Sequence, residues 1–273
     1  MSQKSVAVVT GASSGIGKAI AQQLLADGFI VYAAARRIEK MNDLQQSGAH
    51  LLKMDITKDD DVTRAVAEIQ KEHNGVDVLV NNAGFGMYGA MEDTSIDDAK
   101  YQFEVNVFGP GRVTKAVLPY MRSKKSGTII NISSMGGKIY TPLGSWYHAS
   151  KHAVEGWSDC LRFELAPFGI NVVVIEPGII ETEFGDTMIA PMMERSGNSA
   201  YAEMTRKMKT ATEKSYEKGN GSPPAVVAQT VSKALKSRKP KTRYAVGKMA
   251  QPLISLRKWL SDRMFDKIVQ SSI

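Results

Sequence analysis

The chain has 273 residues, a formal net charge of +7 and one cysteine. That length suits a single α/β domain with a full core. The lone Cys160 excludes a disulfide within the chain, and no apolar run reaches the ~20 residues of a membrane-spanning helix. The first strand-like run begins almost at Met1, so no signal peptide is expected, and a cytoplasmic or at most peripheral protein is anticipated.

Residues Ser5 to Thr10 (SVAVVT) form a short β-branched run typical of a buried parallel strand. Gly11-Ala12-Ser13-Ser14-Gly15-Ile16-Gly17 follows, and then a helical pattern with Ile20, Leu24 and Leu25 on its apolar side. Glycines at a strand-to-helix turn let the main chain approach a pyrophosphate, and the helix N-terminus offers it free N–H groups. The G-x-x-x-G-x-G spacing meets the general dinucleotide fingerprint only approximately. Further strand-like runs follow in turn: FIVYAA, HLLKMD, VDVLVNN, GTIINIS, NVVVIEP and TRYAVG. Their alternation with helical patterns predicts an α/β fold, a single-domain, doubly wound parallel sheet with helices on both faces. No internal repeat or low-complexity tract interrupts it.

One constellation within this frame carries chemistry. Tyr147 and Lys151 are four apart, on one face of a helix, and Ser134 stands thirteen residues before the tyrosine. A free phenol titrates near pH ~10, and lowering that by about three units takes roughly 4 kcal/mol of preferential phenolate stabilisation. One ammonium about 4 Å away supplies about that much at an effective dielectric of ~20, with little to spare. Lys151 is therefore expected to acidify Tyr147, while Ser134 gives a neutral hydrogen bond to a substrate oxygen. Tyr-x-x-x-Lys recurs at Tyr120/Lys124 and Tyr244/Lys248. There Val107 and Val231 stand in the serine's place, and neither can donate a hydrogen bond. His148 and His152 are also four apart, but two ligands without a third make a poor site, and no metal is expected.

Thr10-Gly11-x-x-x-Gly15-x-Gly17, Asn81-Asn82-Ala83-Gly84, Ser134 with Tyr147-x-x-x-Lys151, and Pro177-Gly178 together resemble the short-chain dehydrogenase/reductase family, over Ser5 to about Thr182. The resemblance implies a Rossmann-like fold and an oxidoreductase that passes hydride between a nicotinamide and a carbonyl or alcohol carbon. Tyr147 would be its acid/base, Ser134 would steady the oxygen, Lys151 would tune the phenol and Asn106 would hold a water in the proton relay. It places Gly11, Ser13, Ser14, Gly15, Ile16 and Gly17 at the glycine-rich phosphate turn. Asp55 and Ile56 fall at the adenine, and Asn82, Ala83 and Gly84 along the adenine-ribose side. Pro177, Gly178, Ile180 and Thr182 fall at the nicotinamide, with Tyr147 and Lys151 also meeting the cofactor.

Cofactor choice follows from charge. Ala35 stands where NAD-preferring members keep an acid at the end of the second strand, and Arg36 and Arg37 come next. NADP(H) is therefore expected, with Arg36 as the principal 2′-phosphate contact and Arg37 or Ser14 assisting. A rival reading, a regulator that senses NADP(H) without turnover, has no use for Ser134, Tyr147 and Lys151 together. The helices around Val107 to Met121 and Tyr147 to Ala166 resemble those through which family members pair, so a homodimer or homotetramer is expected.

After Thr182 the pattern turns irregular. Met188, Met192, Met193, Met204 and Met208 crowd a stretch that also holds Pro191 and Gly197. Methionines adapt to varied apolar partners. Residues 183–222, after a core of 1–182, are expected to form either a mobile lid over a pocket for a hydrophobic carbonyl or alcohol, or ordinarily packed helices. Ser134, Met135, Gly136, Tyr147 and Met188 are the expected substrate contacts.

Residues 223–273 should supply C-terminal helices and the last strand. Lys233 to Lys267 hold eleven Lys/Arg against two Asp, a net +9. Leu253, Leu256, Leu260 and Met264 recur at helical spacing, with Trp259, Phe265 and Ile268 widening the apolar side. Such a basic amphipathic helix can rest on an anionic membrane or dock on the protein as lid wall or dimer contact, and docking is favoured. No nucleic-acid motif accompanies the charge, so no nucleic acid is expected as partner. The tail also resembles the hydroxysteroid and retinol dehydrogenase-like branch, which implies a lipophilic (steroid-, retinoid- or lipid-like) substrate. Cys160 is expected to be a small core residue.

Overall fold

The computed structural model describes residues 4–217 and 219–271. Its strands are β1 (Val6–Thr10), β2 (Ile30–Ala35), β3 (His50–Lys53), β4 (Val78–Asn81), β5 (Gly127–Ile132), β6 (Ile170–Pro177) and β7 (Arg243–Val246). Each matches one of the strand-like runs, and all pair in parallel in the order β3-β2-β1-β4-β5-β6-β7. Between and after them come α1 (Gly15–Ala26), α2 (Asn42–Gln46), α3 (Asp59–His73), α4 (Ile96–Phe103), α5 (Gly109–Lys124) and α6 (Ser145–Leu165). The later helices are α7 (Phe184–Ser196), α8 (Ala202–Tyr216), α9 (Ala225–Lys236), α10 (Ala250–Trp259) and α11 (Asp262–Ser271).

The sheet is buried on both faces because its strands are apolar on both. Val9 and Ile130 face a layer that includes Ile20 and Leu24 of α1 and Val227 and Val231 of α9. Val8 and Ile129, their neighbours along the same strands, point the other way, onto Val66 of α3, Val117 of α5 and Leu161 of α6. Burying each such side chain is worth ~1.5–3 kcal/mol. The chain winds outward from β1 through β2 to β3, then returns to β4 on the other side of β1. At that reversal the carboxyl ends of β1 and β4 part and leave a crevice.

Of the two forms expected after Thr182 the packed helices are seen, and three other local expectations fail. Residues after Thr182 form two helices, α7 and α8, in spite of Pro191 inside α7. Burial of Met188, Met192 and Met208 against Tyr88, Leu143 and Tyr147 stabilises them beyond what propensity alone would allow. The excursion closes where it opened, since Ser222 exchanges main-chain hydrogen bonds with Ile179 and Glu181 at 2.9 Å each. The single amphipathic helix read from Leu253 to Met264 is broken at Leu260, whose backbone is extended. Trp259 and Met264 do not join its apolar side but stand in solvent, and Cys160 is exposed on α6 rather than in the core.

Candidate active site

The glycine-rich turn is built from main chain. Gly11 takes φ +67°, and a Cβ at Gly17 would stand 2.3 Å from the Gly11 carbonyl oxygen and 2.4 Å from Asn82 Nδ2. Only glycine fits there. Asn82 Nδ2 donates to the carbonyls of Thr10 (3.0 Å) and Gly11 (3.3 Å), while Thr10 Oγ1 accepts from the N–H groups of Asn82 and Ala83 at 3.0 Å. The end of β4 thus locks the turn after β1. No side chain caps the N-terminus of α1 at Ser14, so its first amides are left for a ligand.

These residues border a cleft of about 540 Å³ at the strand reversal. Of the expected cofactor residues, Gly11, Ser13, Ser14, Gly15, Ile16, Arg36, Arg37, Asp55, Ile56, Asn82, Ala83, Gly84, Tyr147, Lys151, Pro177, Gly178, Ile180 and Thr182 all line it. Gly17 lies behind the turn. Burial works to raise the Asp55 carboxyl, but the N–H and hydroxyl of Thr57 (3.0 and 2.8 Å) and the nearby Arg36 prevail and hold it below its ordinary value. Arg36 and Arg37 are exposed at the rim, and Arg36 Nη1 donates to the Tyr101 hydroxyl at 3.2 Å. An uncapped helix terminus, a glycine turn and two exposed guanidiniums fit a nicotinamide dinucleotide.

Ser134, Tyr147 and Lys151 meet at the inner end of the same cleft. Tyr147 sits in the first turn of α6, where His148 shapes the facing loop. His148 Nε2 accepts from the Thr141 N–H at 3.0 Å, so Nδ1 carries the hydrogen and donates to the Gly136 carbonyl at 2.9 Å. Ser134 Oγ accepts from the Gly136 N–H at 2.9 Å. The electrostatics differ from expectation. Burial pushes the Tyr147 phenol up, with only the Ser134 hydrogen bond pulling it back. Burial also pulls Lys151 down to about 8, against the opposing charge of Glu155. Lys151 Nζ donates to the Ile132 carbonyl at 3.0 Å, and its charge does not outweigh the tyrosine's desolvation. In the chain alone, Tyr147 is a weak acid holding its proton.

Met135, Gly136 and Met188 fall elsewhere than expected, while Asn106 is held between the loop after β4 and α6. Asn106 is buried in a π-type turn, Glu104–Phe108, that joins α4 to α5. Its Nδ2 donates to the Phe85 carbonyl and to Ser150 Oγ, both at 3.0 Å, and its Oδ1 accepts from the Phe85 N–H at 3.1 Å. The side chain therefore braces the loop after β4 against α6. Met135 turns away from the cleft into a cluster with Phe265 and Val269 of α11, because α10 and α11 cover that side of the loop. Gly136 packs beneath Tyr147, where a Cβ would come within 3.2 Å of Cε1. Met188 is buried behind Tyr147 in the apolar cluster, not on the cleft wall.

An aromatic part of the cleft lining had been missed. Phe184 and Tyr216 of the 183–222 excursion line the cleft, as do Phe85 and Tyr101. The Phe184 ring lies 5.8 Å from Tyr147 and 6.2 Å from Tyr216. Phe85 directly follows the Asn-Asn-Ala-Gly motif and Phe184 comes two residues after Thr182, so both had a sequence signal; Tyr216 had none.

Beneath Lys151 lies a buried polar cluster that was also missed. Arg243 of β7 donates through Nε to Glu155 Oε2 (2.9 Å) and through Nη2 to Asp159 Oδ2 (2.6 Å), with Glu176 Oε1 at 3.5 Å. Lys138 Nζ lies 3.0 Å from Glu155 Oε2. Burial and the neighbouring Glu155 push Glu176 up to about 7.

Residues 5–191 match the short chain dehydrogenase family. The chain belongs to the short-chain dehydrogenase/reductase family. It is similar to a 3-ketodihydrosphingosine reductase of Bacteroides thetaiotaomicron, 38% identical over 264 residues that cover 96% of this chain and 95% of that one. It is also 38% identical over 275 residues to an NADPH-dependent 3-dehydrocapnine reductase of Ornithobacterium rhinotracheale, covering 96% and 95%. The crystal structure of a short-chain dehydrogenase from Streptomyces avermitilis superposes with a TM-score of 0.81, at 34% identity and full coverage of both chains. Family membership makes the protein a nucleotide-binding oxidoreductase of Rossmann-like fold. Among the described residues, no helix is long and apolar enough to cross a membrane.

Proposed function

We propose that the protein is an NADP(H)-dependent reductase of a long-chain, lipid-like ketone. The observation that carries this is the convergence of Ser134, Tyr147 and Lys151 in a cleft that also holds a glycine turn and two exposed arginines. Two similar proteins are named as reductases of 3-ketodihydrosphingosine and 3-dehydrocapnine, which favours a lipid-like over a steroid-like substrate. A bound nicotinamide dinucleotide would supply the hydride. Gly11, Gly15 and the first amides of α1 would hold its pyrophosphate, with Arg36 and Arg37 at the 2′-phosphate and Asp55 and Ile56 at the adenine. Ile180 and Thr182 would hold the carboxamide.

Tyr147, protonated and buried, donates its proton to the ketone oxygen as charge develops there, and the Ser134 hydroxyl hydrogen-bonds the same oxygen. Lys151 offsets the charge left on the phenolate. Phe184 and Tyr216 exclude water and receive the alkyl chain. Residues 183–222 act as the substrate cover, 1–182 as the catalytic core and 223–273 as its C-terminal support. Exposed Phe108 on the turn into α5 and Phe163 on α6 favour pairing with a second copy through these helices.

A Tyr147→Phe variant should keep its NADPH affinity while kcat falls by ~10²–10⁴-fold. Titration of bound NADPH fluorescence and steady-state rates on a long-chain 3-ketone measure the two. Undiminished turnover in the variant would refute the role of Tyr147. Binding of NADPH by the parent with no turnover on any lipid, steroid or retinoid ketone would favour a sensor instead.

A further inference from the structure

The C-terminal corner segregates its charges. On α11, Phe265 and Val269 are buried against Ile139, with Leu253 and Leu260 beside them. At 100° per residue, Arg263, Met264 and Lys267 fall on the opposite, exposed side. Both acidic residues of this region are engaged by neighbours. Asp262 accepts from Arg257 Nη2 at 2.6 Å, and Asp266 accepts from the Tyr140 hydroxyl at 2.8 Å. Lys258, Arg263 and Lys267 form no ion pair among the described residues. Between them Trp259 is 80% exposed and Met264 54% exposed, and Lys258 Nζ stands 5.6 Å from the centre of the Trp259 ring.

We propose that this corner, formed by Lys258, Trp259, Arg263, Met264 and Lys267, is a docking surface for an anionic lipid bilayer. An exposed indole and thioether, with three cations that form no ion pair nearby in the chain, suit the boundary between acyl chains and anionic headgroups. A second copy of the same surface is a poor occupant, because a two-fold contact would set its three cations against three others. The placement also serves the lipid-ketone reading, on which this inference builds. Met135, directly after Ser134, packs in the same cluster as Phe265 and Val269, so the docked corner supports the loop that carries the oxygen-binding serine.

Sedimentation of the full chain with vesicles tests it. The parent should bind mixed phosphatidylcholine–phosphatidylglycerol vesicles at low salt. It should bind pure phosphatidylcholine far more weakly, and lose most binding near ~1 M salt, where charges are screened within ~3 Å. The triple variant Lys258→Ala/Arg263→Ala/Lys267→Ala should bind on the order of a hundredfold more weakly, about fivefold per charge. Trp259→Ala should lose roughly tenfold. Both variants should reduce a water-soluble short-chain ketone at the parent's rate and melt at its temperature. Absence of vesicle binding at low salt, equal binding to both vesicle types, or unchanged binding by the variants would overturn docking while leaving the reductase reading intact. A change of oligomeric state in Trp259→Ala, seen by gel filtration, would reassign the corner to a protein interface. Vesicle binding as expected with no turnover on any ketone would support the surface and remove only the proposed activity.

Discussion

The two walls of the cleft are made of different material. On the dinucleotide side, main-chain amides, carbonyls and glycines do the shaping, and Asn82 and Thr10 tie β1 to β4 through hydrogen bonds of about the same length. On the substrate side the wall is side chain: Phe184 and Tyr216, backed by methionines. Main-chain geometry leaves no latitude in residue type, whereas an apolar wall asks only for volume and shape. One wall is therefore rigid in composition and the other adjustable, as expected where a common cofactor meets a variable substrate.

Substitutions should separate the walls. Gly17→Ala should be the most damaging, since its Cβ meets two main-chain-locked groups. It should lower stability by about 2–3 kcal/mol and weaken NADPH binding by at least tenfold, read by thermal melts and calorimetry. Parent-like binding would show the turn to be pliable. Arg36→Glu should weaken NADPH by roughly 10- to 100-fold and leave NADH unchanged or improved, because a charge-assisted phosphate contact is replaced by repulsion. Equal losses for both cofactors would place Arg36 outside the phosphate site.

On the other wall, Phe184→Ala should raise KM for a long-chain ketone several-fold without altering NADPH affinity. A change in NADPH affinity alone would assign Phe184 to the cofactor. The smallest effect concerns pH. Glu176 is raised from 4.5 to about 7, so the folded chain keeps a proton that the unfolded chain has already lost. The stability this brings is complete below pH ~4.5 and is lost as pH rises through about 7. Glu176→Gln, uncharged throughout, should match the parent at pH ~4 and be more stable by ~1–3 kcal/mol at pH ~8. Identical melts at pH ~8 would mean that Lys138 and Arg243 fully compensate the carboxylate.

The contrast also explains what could be read in advance. The inner strands were legible because a parallel strand buried on both faces must be apolar throughout, as in Val6–Thr10, whereas the edge strands β3 and β7 are only partly buried. The placement of the cofactor residues was legible for the reason that Gly17 is irreplaceable. The substrate wall was not. Met135 and Met188 have the composition of a pocket lining, yet α11 claims the first and the Tyr147 cluster the second. Nor could spacing show that burial would outweigh the Lys151 charge at Tyr147, since four residues on a helix say nothing of the dielectric around them. The break at Leu260 is likewise set by packing of Phe265, not by any breaker residue.

The guanidinium of Arg243 arrives late. It lies 92 residues after Lys151, on the sheet's last strand, yet it neutralises Glu155 and Asp159 on the helix that carries both Tyr147 and Lys151. Until it emerges from the ribosome, Lys138 alone faces Glu155 and Glu176, and a buried carboxylate left without its partner costs about 3–5 kcal/mol. A nascent chain can lay down its nucleotide-binding turn early, but its acid/base helix settles only once β7 has been made.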